Sequence, residues 1–352
     1  MSKLRFFVVP CLLLIATFCV AQSTQLDLPL QSQGAKITQT IGITNITINY
    51  HRPLVNNRKV WGGLVPYGQV WRAGANLNTT ITFANDVTID GQPLAAGTYG
   101  LHMIPTEGDW TVIFSEQHDA WGSFSYKESE DALRVSVKPQ PTDFHNALSY
   151  DFDQLKPDSA VVVMSWDKLA VPFTVHVDVN KVVEASLQNQ LRGLSQYTWD
   201  GWDDAATYLV DNKVDLPEAL KYENNSIQNE DRFENEMTKS RILAAMGQNA
   251  DSQQAKQKAL SLANAQQLYG YGRQLQREGK QQEAFAIFKQ AAQKDPNNWL
   301  AHAGLARIAV GAGNYPEATK QMQMALAGAP DPAKSGVEGL IKRLQANDDI
   351  NK

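Results

Sequence analysis

Cysteine is almost absent from this sequence. Cys11 and Cys19 are the two it contains, and both lie within its first 21 residues. A mature chain that loses that stretch has none, which excludes disulfides, thiolate metal sites and cysteine nucleophiles together. Clustered positive charge is also missing. The net charge is −5, and loss of Lys3 and Arg5 with the first 21 residues leaves −7. A mildly acidic chain without a basic patch is not a nucleic-acid binder. No apolar run after Phe18 approaches the ~20 residues of a membrane-spanning helix. The six histidines, His51, His102, His118, His145, His176 and His302, contain no H-x-H or H-E-x-x-H pair. Neither a G-x-S-x-G elbow nor a phosphate-binding P-loop is present. The expectation is a chain that needs no cofactor.

What is there begins with a leader. Lys3 and Arg5 form a short basic region, Phe6 to Phe18 is apolar, and Cys19-Val20-Ala21 offers small residues for cleavage before Gln22. Residues 1–21 are therefore expected to be a signal peptide, and the mature protein to be periplasmic or secreted. A membrane anchor is the alternative, disfavoured because the apolar run is short.

From about Lys36 to Val179 apolar residues alternate with period two, the pattern of half-buried strands. Ile46, Ile48 and Tyr50 share one face; Thr47 and Asn49 share the other. Tyr99, Leu101 and Met103 alternate with Gly100 and His102. Trp110, Val112 and Phe114 do so with Thr111 and Ile113, while Val161 to Trp166 reads as a strand buried on both sides. Turn residues interrupt at Asp90-Gly91, Ala96-Gly97, Glu107-Gly108-Asp109 and Lys156-Pro157-Asp158. Short strands with such turns and no helical period between them predict an antiparallel sandwich or jelly roll over residues 30–180.

From Lys181 the period becomes helical. Near the C-terminus the sequence repeats every 34 residues: Gly279 with Gly313, Ala284 with Ala318, Ala291 with Ala325, Pro296 with Pro330. That period, with small residues at those places, marks tetratricopeptide helix pairs. Stepping the period back predicts weaker units over about Asp231 to Asn264 and Asp200 to Glu230. A closing helix is expected over Ser335 to Leu344. The second domain is thus expected to be an all-α tetratricopeptide-like solenoid over residues 182–346. Such arrays bind proteins or peptides on an extended concave surface. A helical bundle with accidental matches is the alternative.

Within the strand-rich region, Trp61 to Asn76 stands apart. It packs Trp61, Tyr67, Trp71, Arg72 and four glycines into sixteen residues, too glycine-rich for a regular strand. Aromatics and arginine are frequent at binding hot spots. The region resembles the DUF2911 family, an uncharacterised group of exported bacterial proteins, over roughly residues 30–180. The resemblance rests on Tyr50-His51-Arg52-Pro53, Arg58, Trp61 to Asn76, Thr79 to Phe83, Ala96 to Tyr99, Ile104-Pro105, Trp110 to Phe114 and Asp131 to Val135. His51 and Leu77 depart from it, standing where serine and an acidic residue are commoner. The resemblance implies export, a helical-repeat tail and an origin among Bacteroidetes-like bacteria. It implies nothing about activity.

Two readings of the block follow. As a pocket for a small polar or anionic ligand, Arg72 grips a carboxylate or phosphate by its fork. Trp61, Tyr67 and Trp71 line the pocket, Asn76 orients the ligand, and Arg52 and Arg58 add positive charge. As a buried crossover loop, Trp71 fills the core and Arg72 satisfies carbonyls. His102 and His176 fall on the polar parity of their strands, which predicts solvent exposure. A metal site would need His51, His102, His145 and Asp151 gathered from separate strands. No catalytic residue is assigned and no metal is expected. The sequence points to an exported non-catalytic binding or scaffold protein, with a hydrolase or carbohydrate-active enzyme at the Trp61–Asn76 loops as the rival.

Overall fold

The computed structural model describes residues 28–352; the expected leader, with Cys11 and Cys19, lies outside the described residues. The chain divides into two compact units, with the sequence boundary between His176 and Val177.

The first unit is an antiparallel sandwich of two sheets. One has six strands in the order β1 (Gln33–Ile41), β2 (Thr44–Arg52), β3 (Thr80–Phe83), β6 (Gly97–Ile104), β7 (Trp110–Ser115) and β8 (Asp131–Val137). The other has four, in the order β5 (Gln92–Leu94), β4 (Val87–Ile89), β10 (Ser159–His176) and β9 (Gln140–Lys156). Side-chain alternation places Ile46, Ile48 and Tyr50 of β2, Leu101 and Met103 of β6, and Val112 and Phe114 of β7 in the core. Phe173 of β10 meets Phe114 edge-on at 5.6 Å.

β10 buries two runs of opposite parity: Val162, Met164 and Trp166, then Val171, Phe173 and Val175. Register shifts against β9 at Ser165/Asp167 and Asp167/Leu169, with Asp167 at φ 54°, reset the alternation so that both runs face inward. Each large side chain so buried contributes about 1.5–3 kcal/mol of transfer free energy.

The second unit is helical. α1 (Val179–Gln190) is capped by Asp178, whose carboxylate accepts from the Lys181 N–H at 3.2 Å. Four antiparallel pairs follow: α2 (Trp199–Asn212) with α3 (Leu216–Asn229), α4 (Phe233–Ala245) with α5 (Asn249–Leu262), α6 (Ala265–Arg277) with α7 (Gln281–Lys294), and α8 (Trp299–Gly311) with α9 (Tyr315–Gly328). α10 (Asp331–Gln345) closes the array. The first helices of successive pairs touch, α2 with α4 and α6 with α8. This is an all-α tetratricopeptide-like array.

The repeated residues have local reasons. Gly279 and Gly313 have φ of 76° and 73°, the left-handed conformation that ends a helix tightly. The Lys280 and Asn314 N–H groups then return to Leu275 and Ala309 carbonyls at 2.9 and 2.8 Å. Asn264 and Gln267 form a reciprocal capping box at the start of α6. Ala284 and Ala291 pack with Phe288 in one core, and Ala318 and Ala325 with Met322 in the next.

One feature of this unit opposes its own stability. Glu223 of α3 is fully buried, and neither of its carboxylate oxygens has a hydrogen-bond partner; Asp203 Oδ1 of α2 has none either. Burial, followed by the charge of Asp203, pushes the Glu223 carboxyl up to about 9. The folded state therefore holds a proton that the unfolded chain releases near 4.5. Stability is full below that value and falls as pH rises toward 9. Glu223→Gln, which carries hydrogens at every pH, is expected to stabilise the helical unit by about 2 kcal/mol or more at pH 8 and to flatten this slope. Urea denaturation followed by helical ellipticity across pH checks both; a variant no more stable than wild type at pH 8 contradicts the assignment.

Candidate functional site

β2 leaves the sheet at Arg52, Pro53 fixes the turn, and residues 53–60 lead into the Trp61–Asn76 block. Its central event is a short antiparallel bridge between Trp71 and Met103. The two residues exchange N–H···O bonds of 2.8 Å, so Trp71 lies alongside β6 beyond the end of β3. Paired residues share a face of a sheet, so Trp71 points with Met103 into the core. Arg72 points with His102 to the opposite face.

The inward side is a cluster of four tryptophans. Trp61 meets Trp110 at 4.7 Å, Trp166 at 5.6 Å and Trp71 at 5.8 Å, each edge-on. Trp71 stacks on Trp166 at 5.9 Å and 20°. Trp71 Nε1 donates to the Gly74 carbonyl at 3.1 Å, and Trp110 Nε1 donates to Thr106 at 3.0 Å. Trp61 is thus a core residue, 7% exposed. Tyr67 is exposed, and its ring lies against Gly62. Arg52 Nε donates to the Leu148 carbonyl at 2.8 Å, and Arg58 donates to the Val55 and Leu54 carbonyls at 3.1 and 2.5 Å, so both staple loops. Asn76, at φ 58°, donates to the Ser32 carbonyl at 3.0 Å. A cleft of 270 Å³ lies between these groups, with Arg58, Trp71, Arg72, Asn76 and Trp166 in its wall. Four of the seven, Arg58, Trp71, Arg72 and Asn76, line this one cleft. Trp61 lies in the core, the half-buried Trp71 packs on it, Arg52 and Arg58 hold backbone, Tyr67 packs on its own loop, and the Arg72 guanidinium reaches toward Gly122.

Arg72 joins a polar cluster on the outer face of the six-stranded sheet. Its Nη1 stands 3.2 Å from where a Cβ on Gly122 would be. Gly122 belongs to the loop of residues 116–127 between β7 and β8, which crosses this face. Within the loop, Ser123 Oγ is 2.9 Å from His102 Nδ1. Tyr126 packs its ring 5.5 Å from His102 and donates to Asp131 Oδ2 at 2.5 Å. Arg134 reaches Asp131 at 3.4 Å and Glu128 at 2.5 Å. Gly100 makes this covering feasible, because a Cβ there would collide with the Gln117 carbonyl oxygen of the loop. The polar parity of His102 suggested solvent; the loop instead leaves it 3% exposed. His176, at the end of β10, does reach solvent, facing Asp158 at 3.4 Å with its side chain 48% exposed. Among the described residues no group of three or more His, Cys, Asp or Glu side chains is placed to hold a metal ion.

Charge in the cluster is unbalanced. Arg72 has no carboxylate partner among the described residues, and its buried Nε has no hydrogen-bond partner. Burial pushes its guanidinium below the usual arginine range. His51 Nδ1 is likewise buried and unpartnered. Burial first, then the Arg72 charge, lowers both His51 and His102, the latter to about 4. His51, Ser123 and the loop carry no sequence signal that links them to Arg72, because only the Trp71–Met103 bridge brings them together.

Comparison with known proteins agrees with this architecture. Residues 32–175 match DUF2911, a family described as being of unknown function. A tetratricopeptide-repeat model matches residues 275–337, which indicates a protein-interaction role for the helical array. No curated protein matches the chain. Among solved structures, YrrB, a tetratricopeptide protein described as having an unusual peptide-binding site, is 14% identical with a TM-score of 0.27; the match covers 46% of this chain and 84% of that one. The Cut9–Hcn1 hetero-tetramer of the APC/C is 15% identical with a TM-score of 0.29, covering 46% of this chain and 33% of that one. No helix among the described residues is long and apolar enough to cross a membrane.

Two measurements follow for the DUF2911 region. Trp61→Ala empties the centre of the tryptophan cluster and is expected to cost about 3–5 kcal/mol in urea denaturation; a change within experimental scatter would mark Trp61 as a surface ligand contact instead. The second concerns pH. His102 titrates at about 4 when folded and 6.5 when unfolded, so between these values the unfolded chain binds the extra proton. Stability falls as pH drops through that window, by about 3 kcal/mol in all. His102→Gln is expected to remove that part of the acid sensitivity, while wild-type His102 shows no imidazole titration by NMR above pH 5.

Proposed function

We propose that the chain is an exported, non-catalytic binding protein of the bacterial cell envelope. Its helical array takes a protein or peptide partner, and its β domain takes a small polar or anionic ligand. The leader-like residues 1–21 motivate the export part of this reading.

The observation that carries the partner reading is a patch on α6 and α8. Arg273 Nη1 donates to Gln276 Oε1 at 2.6 Å and Arg277 is exposed beside it, while Arg307 is buried behind them and donates to Tyr269 Oη at 3.2 Å and to the Ile350 carbonyl. None of the three arginines is paired with a carboxylate among the described residues. Burial and the neighbouring Arg307 and Arg277 charges push Arg273 below the usual arginine range. Helices whose repeated stacking offers a continuous face, carrying the unneutralised Arg273 and Arg277, suit a peptide with acidic residues.

A hydrolase is the second reading, favoured by Ser123 Oγ at 2.9 Å from His102 Nδ1. Burial weighs against it. A general base works best with a pKa near the operating pH, and His102 is held at about 4. Recognition, rather than proton transfer, is what the cluster suits.

Two tests separate the parts. Mass spectrometry of protein recovered from the envelope is expected to find Gln22 as the first residue; an intact Met1 end contradicts export. A partner captured by the full chain is expected to be lost by the Arg273→Glu, Arg277→Glu double variant with unchanged ellipticity. Undiminished capture contradicts the helical patch as its site.

A further inference from the structure

We propose that Arg72, with His51, His102 and Ser123, forms a site for the carboxylate of a small monoanionic ligand, on the outer face of the six-stranded sheet beneath the 116–127 loop. This rests on the ligand-binding reading of the β domain and relocates the ligand. The binding chemistry leaves the tryptophan side of the Trp61–Asn76 block and moves to the opposite face.

The first ground is the unpaired cation. A half-buried guanidinium without a counter-ion is costly, because desolvation is not offset by attraction. Its Nε, wholly shielded from solvent, donates to nothing. Elsewhere on the same sheet the arginine problem is solved locally: Arg134 is paired with both Glu128 and Asp131. Arg72 is left with two imidazoles and a hydroxyl, groups that supply hydrogen bonds and no negative charge.

The second ground is room. A hollow of 430 Å³ opens on the same face, its wall including Lys36, Asn49, His51, Leu77 and Asn78, with no acidic residue; His51 is the member of the site that lines it, and Arg72 lines the 270 Å³ cleft. The hollow is therefore open to an anion on electrostatic grounds. Leu77 and Trp121 face each other across a β-bridge at its edge, and both are exposed, as is Phe124. Apolar side chains held in solvent beside a positive site suit the apolar body of a ligand whose anionic end reaches inward.

The third ground is strain. Ala73, next to Arg72, has a left-handed φ of 46° despite its Cβ, and is fully buried. Its carbonyl accepts from Tyr150 Oη at 2.8 Å and Thr79 Oγ1 at 3.1 Å, which hold the strained turn in place. Such conformations cost free energy and persist where the surroundings over-determine them, often at ligand sites. Here the turn fixes the direction in which Arg72 leaves the chain.

Charge decides the ligand class. Lys36 in the wall of the hollow is exposed and screened by solvent, so the one shielded cation, the Arg72 guanidinium beside two neutral imidazoles, balances a single negative charge. A carboxylate fits that count and the bidentate fork. A phosphate monoester, at −1.5 to −2, would leave excess negative charge in a poorly solvated place.

The test titrates benzoate and, separately, inorganic phosphate into the full chain and into Arg72→Gln. Affinity, thermal unfolding and the His51 ring resonances are read, the last assigned by their loss in His51→Gln. Benzoate is expected to move the His51 resonances and raise the unfolding temperature of wild type. Arg72→Gln is expected to lower benzoate affinity about 10- to 100-fold. Without ligand that variant is expected to unfold at a higher temperature than wild type, since it removes an unpaired cation. A purely structural arginine would give the reverse, and a destabilised Arg72→Gln overturns the proposal. Equal benzoate affinity in both proteins overturns this site and leaves a β-domain ligand elsewhere. Tighter binding of phosphate, lost in Arg72→Gln, overturns the carboxylate assignment. No response of wild type to either anion overturns this site and the anionic half of the β-domain reading, and leaves a neutral polar ligand as its occupant.

Discussion

The paired hydrogen bonds between Trp71 and Met103 govern the β domain. They make a glycine-rich crossover behave as one residue of strand, and a strand residue must choose a face. Trp71 goes inward and completes an edge-on and stacked cluster with Trp61, Trp110 and Trp166 between the sheets. Arg72 goes outward by the same alternation and meets His102 and His51. A single short bridge thus sorts a tryptophan–arginine dipeptide into packing on one side of the sheet and unbalanced charge on the other.

The outer face is then shaped by a loop rather than by strands. Residues 116–127 lie across β6 because Gly100 has no side chain to hold them off. The loop brings Ser123 to His102 and Tyr126 to Asp131, and it shields the imidazole from water. Shielding and the nearby guanidinium act in the same direction on both histidines, keeping them uncharged. Arg134 is neutralised by Asp131 and Glu128, so Arg72 is the shielded cation of this face left without a carboxylate partner among the described residues, which makes the site selective by sign.

The helical array works by a different economy. Its pairs repeat one solution: small residues where helices approach, larger side chains beside them, and a left-handed residue at the turn, Lys213 in the first pair and Gly247, Gly279 and Gly313 in the others. Departures from that solution are polar. The fully buried Glu223 beside Asp203 stores an electrostatic cost inside the first pairs. Arg273 and Arg277 of α6 display uncompensated charge farther along the chain. Neither is required by the repeat, so both belong to what distinguishes this array from a generic one.

The sequence by itself determined the kinds of structure. Period-two alternation named an antiparallel β domain, the 34-residue recurrence named paired helices, and the ordered motifs from Tyr50 to Val135 carried the likeness to DUF2911 over residues 32–175. These are local signals, set by the geometry of one strand or one helix pair, so they survive in a linear reading. The bulge at Asp167, which lets β10 bury both Trp166 and Phe173, was not legible, because register depends on the neighbouring strand. Nor was the division of the candidate site. Composition grouped Trp61, Tyr67, Trp71 and Arg72 because they are adjacent in sequence, and gave His102 to solvent because its parity is polar. Tertiary structure separated the aromatic and cationic members and covered the polar face with a loop. Which face a side chain takes is local, but what lies over that face is decided by chain returning from elsewhere.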